Sequence, residues 1–72
     1  MANYAKVVVD IPLNKGNKTF DYKIPNKLIN KLQIGNLVLV PFGKRVIKAF
    51  VIKLTDKAEI DESKLKEIKK LD

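Results

Sequence analysis

The sequence predicts a mainly β fold, a small antiparallel barrel-like (OB-like) meander, from three observations. Apolar and polar residues alternate over several short stretches, which is the period of a strand with one buried face. Proline or glycine separates these stretches, and the connections between them are short. The chain has 72 residues, of which 46% are hydrophobic, so we expect one small domain with a thin core.

Four strands are expected along the chain. In order they are Tyr4–Ile11, Thr19–Ile24, Leu37–Val40 and Val46–Leu54. Pro12, Pro25 and Pro41 each lack a ladder donor and are expected to end a strand. The polar segment 13–18 is expected to form a turn around its glycine. The last strand is apolar on both faces except for two lysines, and its Phe50 is expected to be buried, like Phe42.

Two segments show helical spacing. Residues 27–33 carry three apolar residues on one helical face, which predicts a short helix of about two turns. In the segment 64–71, Leu65, Ile68 and Leu71 are three residues apart, which favours an amphipathic helix. The segment is too short to be stable alone, so the sequence leaves strand and helix open there.

The positive charge is concentrated in the first three quarters of the chain. The sequence has 15 basic and 8 acidic residues, a formal charge of +7. Residues 1–55 hold ten of the basic residues and only two acidic ones, Asp10 and Asp21. Such a field favours a polyanion. The alternative is a protein-docking domain whose lysines only confer solubility.

The residue inventory argues against catalysis by this chain. The sequence contains neither Cys nor His, which excludes disulfides, Cys or His metal sites, cysteine nucleophiles and histidine bases. It also lacks a glycine-rich loop of the kind that binds nucleotide phosphates. We therefore expect a non-catalytic chain that binds no cofactor and no metal.

Two clusters are candidates for binding. In the first, Thr19–Tyr22, a strand places Asp21 on the face opposite Phe20; this aspartate is then either a surface ion pair or a hydrogen-bond acceptor for a ligand. The second, Val40–Arg45, is either a plain hairpin connection or a binding loop in which Gly43 permits close approach of a ligand to the backbone. Three cations in or near this cluster are candidate phosphate contacts on charge alone: Lys44, Arg45 and Lys48.

The order of these motifs resembles a known family. Thr19–Pro25, Gly35–Leu39, Val40–Lys44 and the closing residues 65–72 are similar, in register, to the N-terminal 3′-end-binding domain of PriA, the primosomal replication-restart helicase. The resemblance implies a β-rich module that captures the 3′-OH end of the nascent leading strand at a stalled fork, with little base preference. By position, it implies that Phe20 and Asp21 form a wall of the site, Gly43 its floor and Lys66 a basic contact.

The resemblance also implies what surrounds this domain. Residues 1–72 correspond to the first lobe of the family's domain, and the remaining domains form an ATP-dependent 3′–5′ DNA helicase with ATP and zinc sites of its own. Partners implied are the 3′ end of DNA, the helicase domains in cis, primosome proteins and single-strand-binding protein. The alternatives from residues alone are a generic OB-like single-stranded nucleic-acid binder and a protein-docking barrel.

The resemblance implies a location in the bacterial cytosol, near the nucleoid, and the residues agree with the cytosol. Its first residues lack the basic and then apolar pattern of an export signal. Its apolar runs fall far short of the ~20 residues that span a bilayer. We therefore expect no membrane partner.

Overall fold

Antiparallel strands make up most of the part of the chain that the structure describes. The structure is a computed structural model and describes residues 2–10, 18–58 and 61–72. Within them lie five strands: β1 (Tyr4–Val9), β2 (Thr19–Lys23), β3 (Leu37–Phe42), β4 (Arg45–Thr55) and β5 (Lys70–Leu71). The predicted mainly β class is confirmed. The predicted strand end at Ile11–Pro12 and the turn around Gly16 lie outside the described residues.

The sheet consists of two hairpins joined at their long strands. The strand order is β2-β1-β4-β3-β5, with β1 antiparallel to both β2 and β4. Opposite Lys6 and Val7 the register of β4 slips from Lys53 to Val51, which leaves Ile52 as a bulge. A bulge of this kind increases the local twist and bends the sheet, which brings its two ends towards each other.

The segment 64–71, for which the spacing favoured a helix, is instead mostly extended. The Lys23 amide donates to the Lys66 carbonyl (2.9 Å) and the Ile68 amide to the Lys23 carbonyl (3.0 Å). On the other side, the Lys69 amide donates to the Leu39 carbonyl (2.7 Å), and β5 pairs with β3. The segment thus lies between the edges of β2 and β3, and the sheet is barrel-like but not closed by a continuous ladder.

Backbone hydrogen bonding explains why the extended form is preferred. Buried peptide groups need partners, and the open edges of β2 and β3 offer them over the whole segment. A helix of two turns would satisfy few of its own groups. The apolar residues three apart are still accommodated, since Leu65 and Ile68 are buried and Leu71 packs against the core.

The predicted helix over 27–33 is shorter than its pattern indicated. A single 3₁₀ turn covers Asn26–Leu28 and is followed by a turn in which the Leu32 amide donates to the Leu28 carbonyl at 2.9 Å. Leu28 and Leu32 are buried, so the spacing identified the correct buried positions. Glu62–Lys64 forms a second 3₁₀ turn, and no helix in the described part of the chain is long and apolar enough to cross a membrane.

Two predictions about the β3–β4 hairpin were wrong. β3 does not end at Pro41 but continues to Phe42, with Pro41 opposite Val46. The proline is tolerated because β5 pairs only with Val38 and Leu39, so that no ladder donor is required at Pro41 on that side. Phe50 is not buried: it is 44% exposed, because the alternation of β4 directs its neighbours inward instead.

Substitution of matched isoleucines tests the position of the C-terminal segment. Ile68→Val should lower the free energy of unfolding by ~0.5–1.5 kcal/mol, because Ile68 is 2% exposed and the change removes a buried methylene. Ile34→Val makes the same chemical change at a residue that is 65% exposed and should stay within about 0.5 kcal/mol. Urea unfolding measures both. Equal, negligible effects would show that the segment does not pack against the sheet.

Candidate nucleic-acid interface

Phe20 lies at the inward side of β2 and contacts Phe42 at the end of β3. Its register partner is Val7, which is fully buried, and residues directly opposite in a ladder share a face. The two phenyl rings meet edge to face, with centroids 5.2 Å apart and planes at 85°, a favourable geometry for aromatic pairs. This contact joins β2 to the β3–β4 hairpin.

Gly43 follows Phe42 directly and lies in the turn of that hairpin. Phe42 pairs with Arg45, so Gly43 and Lys44 form the connection between the strands. Gly43 has a φ of +61° and a Cβ built there would meet no atom within 4 Å, so the space over its backbone is open. Phe20 thus contacts the residue that precedes Gly43 in the chain.

Asp21 lies on the other face of β2, as the strand periodicity predicted. Its Oδ1 is 3.1 Å from the Nζ of Lys6, and only 11% of the Asp21 side chain is exposed. Lys6 is its register partner on β1. The Asp21 carboxylate and the Phe20 ring thus point to opposite faces. The two faces of the strand adjoin at the outer edge of β2.

Lys66 lies beside this same edge. Its carbonyl accepts the hydrogen bond from Lys23, two residues beyond Asp21, and the residue is exposed. Lys66 lies next to β2 because the C-terminal segment is extended there and not helical.

A groove adjoins Lys66 between β2, the end of β3 and the C-terminal segment. Its volume is about 430 Å³. The lining residues are buried or half-buried apolar ones and exposed charged ones: Pro25, Pro41 and Ile68, then Lys27, Lys66, Glu67 and Lys69. Sequence reasoning missed Lys27 and Lys69, because nothing in their local patterns indicates that the fold brings them together.

A buried tyrosine fixes one wall of the groove. The Tyr22 hydroxyl donates a hydrogen bond of 2.7 Å to the Pro41 carbonyl. Burial raises the pKa of the Tyr22 phenol, so that it remains protonated and able to donate. The bond ties β2 to β3 at the level of the groove.

The three cations proposed on charge alone are divided between two places. Lys44 and Arg45 lie in the hairpin beside Gly43, and both are exposed. Lys48 is farther along β4, where its Nζ is 3.6 Å from Oδ2 of Asp72. It lies outside the cluster of Phe20 and Gly43. Within the described residues, no group of acidic, Cys or His side chains could hold a metal ion.

The outward face of β4 carries exposed apolar side chains. Val46, Phe50 and Ile52 are each roughly half exposed, and Val8 and Leu37 flank Phe50 in the neighbouring strands. An apolar patch of this kind, with polar residues around it, is typical of an interaction surface. It is distinct from the groove, which faces the edges of β2 and β3.

A small antiparallel β domain with a lysine-lined groove defines the class of a nucleic-acid-binding module. A family model described as the 3′DNA-binding domain (3′BD) of PriA matches residues 6–72. The chain belongs to this family of DNA-binding domains.

Two relatives of this chain are PriA proteins. The replication restart protein PriA of Bacillus subtilis is 36% identical over 69 residues, which cover 96% of this chain and 9% of that protein. The replication restart protein PriA of Haemophilus influenzae is 40% identical over 63 residues, covering 88% of this chain and 8% of that protein. The chain thus spans less than a tenth of the length of these relatives.

The Tyr22 phenol should make stability fall at high pH. Because its pKa is raised in the folded state, the unfolded chain releases this proton first once the pH exceeds about 10. The free energy of unfolding therefore falls as pH rises past that value, and this residue contributes no pH dependence below it. Tyr22→Phe should reduce the fall between pH ~9 and ~11, measured by urea unfolding. An equal fall in both proteins would contradict the assignment.

Proposed function

We propose that this DNA-binding domain recognises the free 3′-OH end of a DNA strand at the outer edge of β2. The single observation that supports this most is that the β3–β4 hairpin and the C-terminal segment both contact β2. Phe42, which precedes Gly43 in the chain, contacts Phe20 near the start of β2, and the Lys66 carbonyl accepts a hydrogen bond from Lys23 at the other end of the strand. The proposed site residues are Phe20, Asp21, Gly43 and Lys66.

The chemistry of these side chains suits a strand terminus. A carboxylate offers about four acceptor positions, so Asp21 can accept from a 3′-hydroxyl while Lys6 holds it in place. A 3′-phosphate would bring negative charge against that carboxylate. The phenyl edge of Phe20 and the open backbone at Gly43 offer contact to any base, which accounts for little base preference.

Lys44 and Arg45 are proposed to contact phosphate near this terminus. They flank Gly43 and are exposed, and such contacts position a strand without reading its sequence. Lys48 is a weaker candidate because of its distance along β4 and its ion pair with Asp72.

The properties of the longer protein are proposed from the resemblance. We propose that residues 1–72 are the first lobe of the 3′-end-binding domain in a cytosolic, ATP-dependent 3′–5′ helicase that acts with primosome proteins and single-strand-binding protein. ATP and zinc would belong to its other domains. Assays of ATP-driven unwinding and of zinc content in the longer protein check this.

The apolar patch around Phe50 is proposed as the surface that meets those helicase domains in cis. The relatives are more than ten times longer than this chain, and an exposed apolar patch is more readily covered by protein than by phosphate. Carbene footprinting of Phe50 should show protection in the longer protein relative to this chain alone.

End recognition is tested with single-stranded oligonucleotides that differ only in a 3′-OH or a 3′-phosphate. We expect tighter binding of the 3′-OH form by fluorescence anisotropy. Asp21→Asn should remove the preference and cost roughly tenfold or more, because hydrogen bonds to charged groups contribute about 1.5–3 kcal/mol. The control is Asp10→Asn, at an exposed aspartate directly after β1. Equal, salt-sensitive binding of both ends would leave a generic single-strand binder.

A second test compares two glycines with positive φ. Gly43→Ala and Gly35→Ala both strain the backbone, since φ is +61° and +96° and neither added Cβ meets an atom; a cost of about 1–2 kcal/mol in stability is expected for each. Only Gly43→Ala should weaken binding of a 3′-OH oligonucleotide, because its Cβ enters the space proposed for the ligand. Circular dichroism verifies folding. Unchanged affinity for both variants would remove Gly43 from the site.

A further inference from the structure

We propose that the groove lined by Lys27, Lys66 and Lys69 carries the nucleotides immediately 5′ of the terminal one. In this arrangement Lys27 and Lys69 contact the first internal phosphates. The inference rests on the proposed function, because the terminal nucleotide at Phe20 and Gly43 determines which end of the strand enters the groove.

The position of the groove follows from the direction of β2. A strand rises roughly 3.3 Å per residue, so Lys23 lies roughly 10 Å beyond Phe20 along the strand. The C-terminal segment is hydrogen-bonded to both backbone groups of Lys23, whose amide donates to Lys66 and whose carbonyl accepts from Ile68. The groove begins there, beside Lys66 of the proposed terminal site, and extends to Pro25 and Lys27. Its far end at Lys27 is therefore displaced from Phe20 in the direction in which β2 runs.

The lining of the groove suits a polynucleotide. Apolar surface from Pro25, Pro41 and Ile68 is available to bases or sugars, while three lysines face one acid, Glu67. The volume of about 430 Å³ falls within the ~300–1,000 Å³ of small-molecule sites. Lysine is a point charge that attracts phosphate without a fixed planar geometry, as contacts to a non-specific strand require.

The groove is held open by the fold before any ligand binds. The Lys69 amide is bonded to Leu39, and Tyr22 fixes the Pro41 carbonyl. On the opposite wall, the Leu28 amide donates to the Pro25 carbonyl at 2.8 Å, which orders the turn that carries Lys27. Only the lysine side chains need to be ordered on binding, which limits the entropic cost.

The test uses this chain with 3′-OH oligonucleotides whose two 3′-terminal linkages are either phosphodiesters or neutral methylphosphonates. Each lost phosphate contact should lower the slope of log affinity against log salt by about 0.7. The double substitution Lys27→Gln and Lys69→Gln should therefore lower it by about 1.4 with the phosphodiester strand and have little effect with the methylphosphonate strand. Lys57→Gln, an exposed lysine beyond β4, is the control.

The outcomes separate this inference from end recognition. The groove proposal is overturned if the double variant behaves like Lys57→Gln. It is also overturned if methylphosphonates at the 5′ end abolish the effect of the double substitution as well as those at the 3′ end do. In both cases the 3′-OH preference can stand. If the variant effect depends on the 3′-terminal linkages but 3′-OH and 3′-phosphate strands bind equally, the groove is supported and recognition of the hydroxyl is wrong.

Discussion

The backbone hydrogen bonds of the C-terminal segment are the interactions on which the rest of the structure depends. Without them the edges of β2 and β3 would each present unpaired peptide groups, and the thin core of a 72-residue chain would be open on one side. The bonds through Lys23 and Leu39 close that side and bury Ile68. The same bonds place Lys66 and Lys69, so the contacts that complete the core also build the charged surface.

The edge of β2 is a suitable place for a site because both faces of the sheet are accessible there. In the middle of the sheet, Phe20 and Asp21 would be separated by the strand itself. At an edge, an aromatic ring from the inner face and a carboxylate from the outer face can both border a bound ligand, as we propose for Phe20 and Asp21. The Lys6–Asp21 pair and the Phe20–Phe42 contact hold these two side chains, while the C-terminal segment is bonded to the same strand at Lys23.

The sequence was sufficient where structure is decided locally. Alternation predicted β1 and β2, an apolar run predicted β4, and the buried positions Leu28 and Leu32 followed from their spacing. Sequence reasoning failed where distant strands decide. The C-terminal segment is extended because of the strand edges that it meets, and the exposed side of Phe50 could not be assigned because both faces of β4 are largely apolar. Lys27 and Lys69 are 42 residues apart and meet only through the tail, so no local pattern could reveal the groove. The proposed terminal site rests on the family resemblance, whose motifs are continuous in sequence.

The nearly exclusive use of lysine bears on what this domain can distinguish. Fourteen of its fifteen basic residues are Lys, and bidentate recognition of base edges relies mainly on Arg and on amide side chains. The groove is lined by lysines, one glutamate and apolar residues. None of these is an arginine or an amide side chain of the kind that recognises base edges in a bidentate way. A surface of this composition attracts any strand and reads no sequence. We propose that selectivity arises instead from the feature that differs between the interior and the end of a strand, namely the terminal hydroxyl and the absence of a following phosphate, with Asp21 as the proposed acceptor.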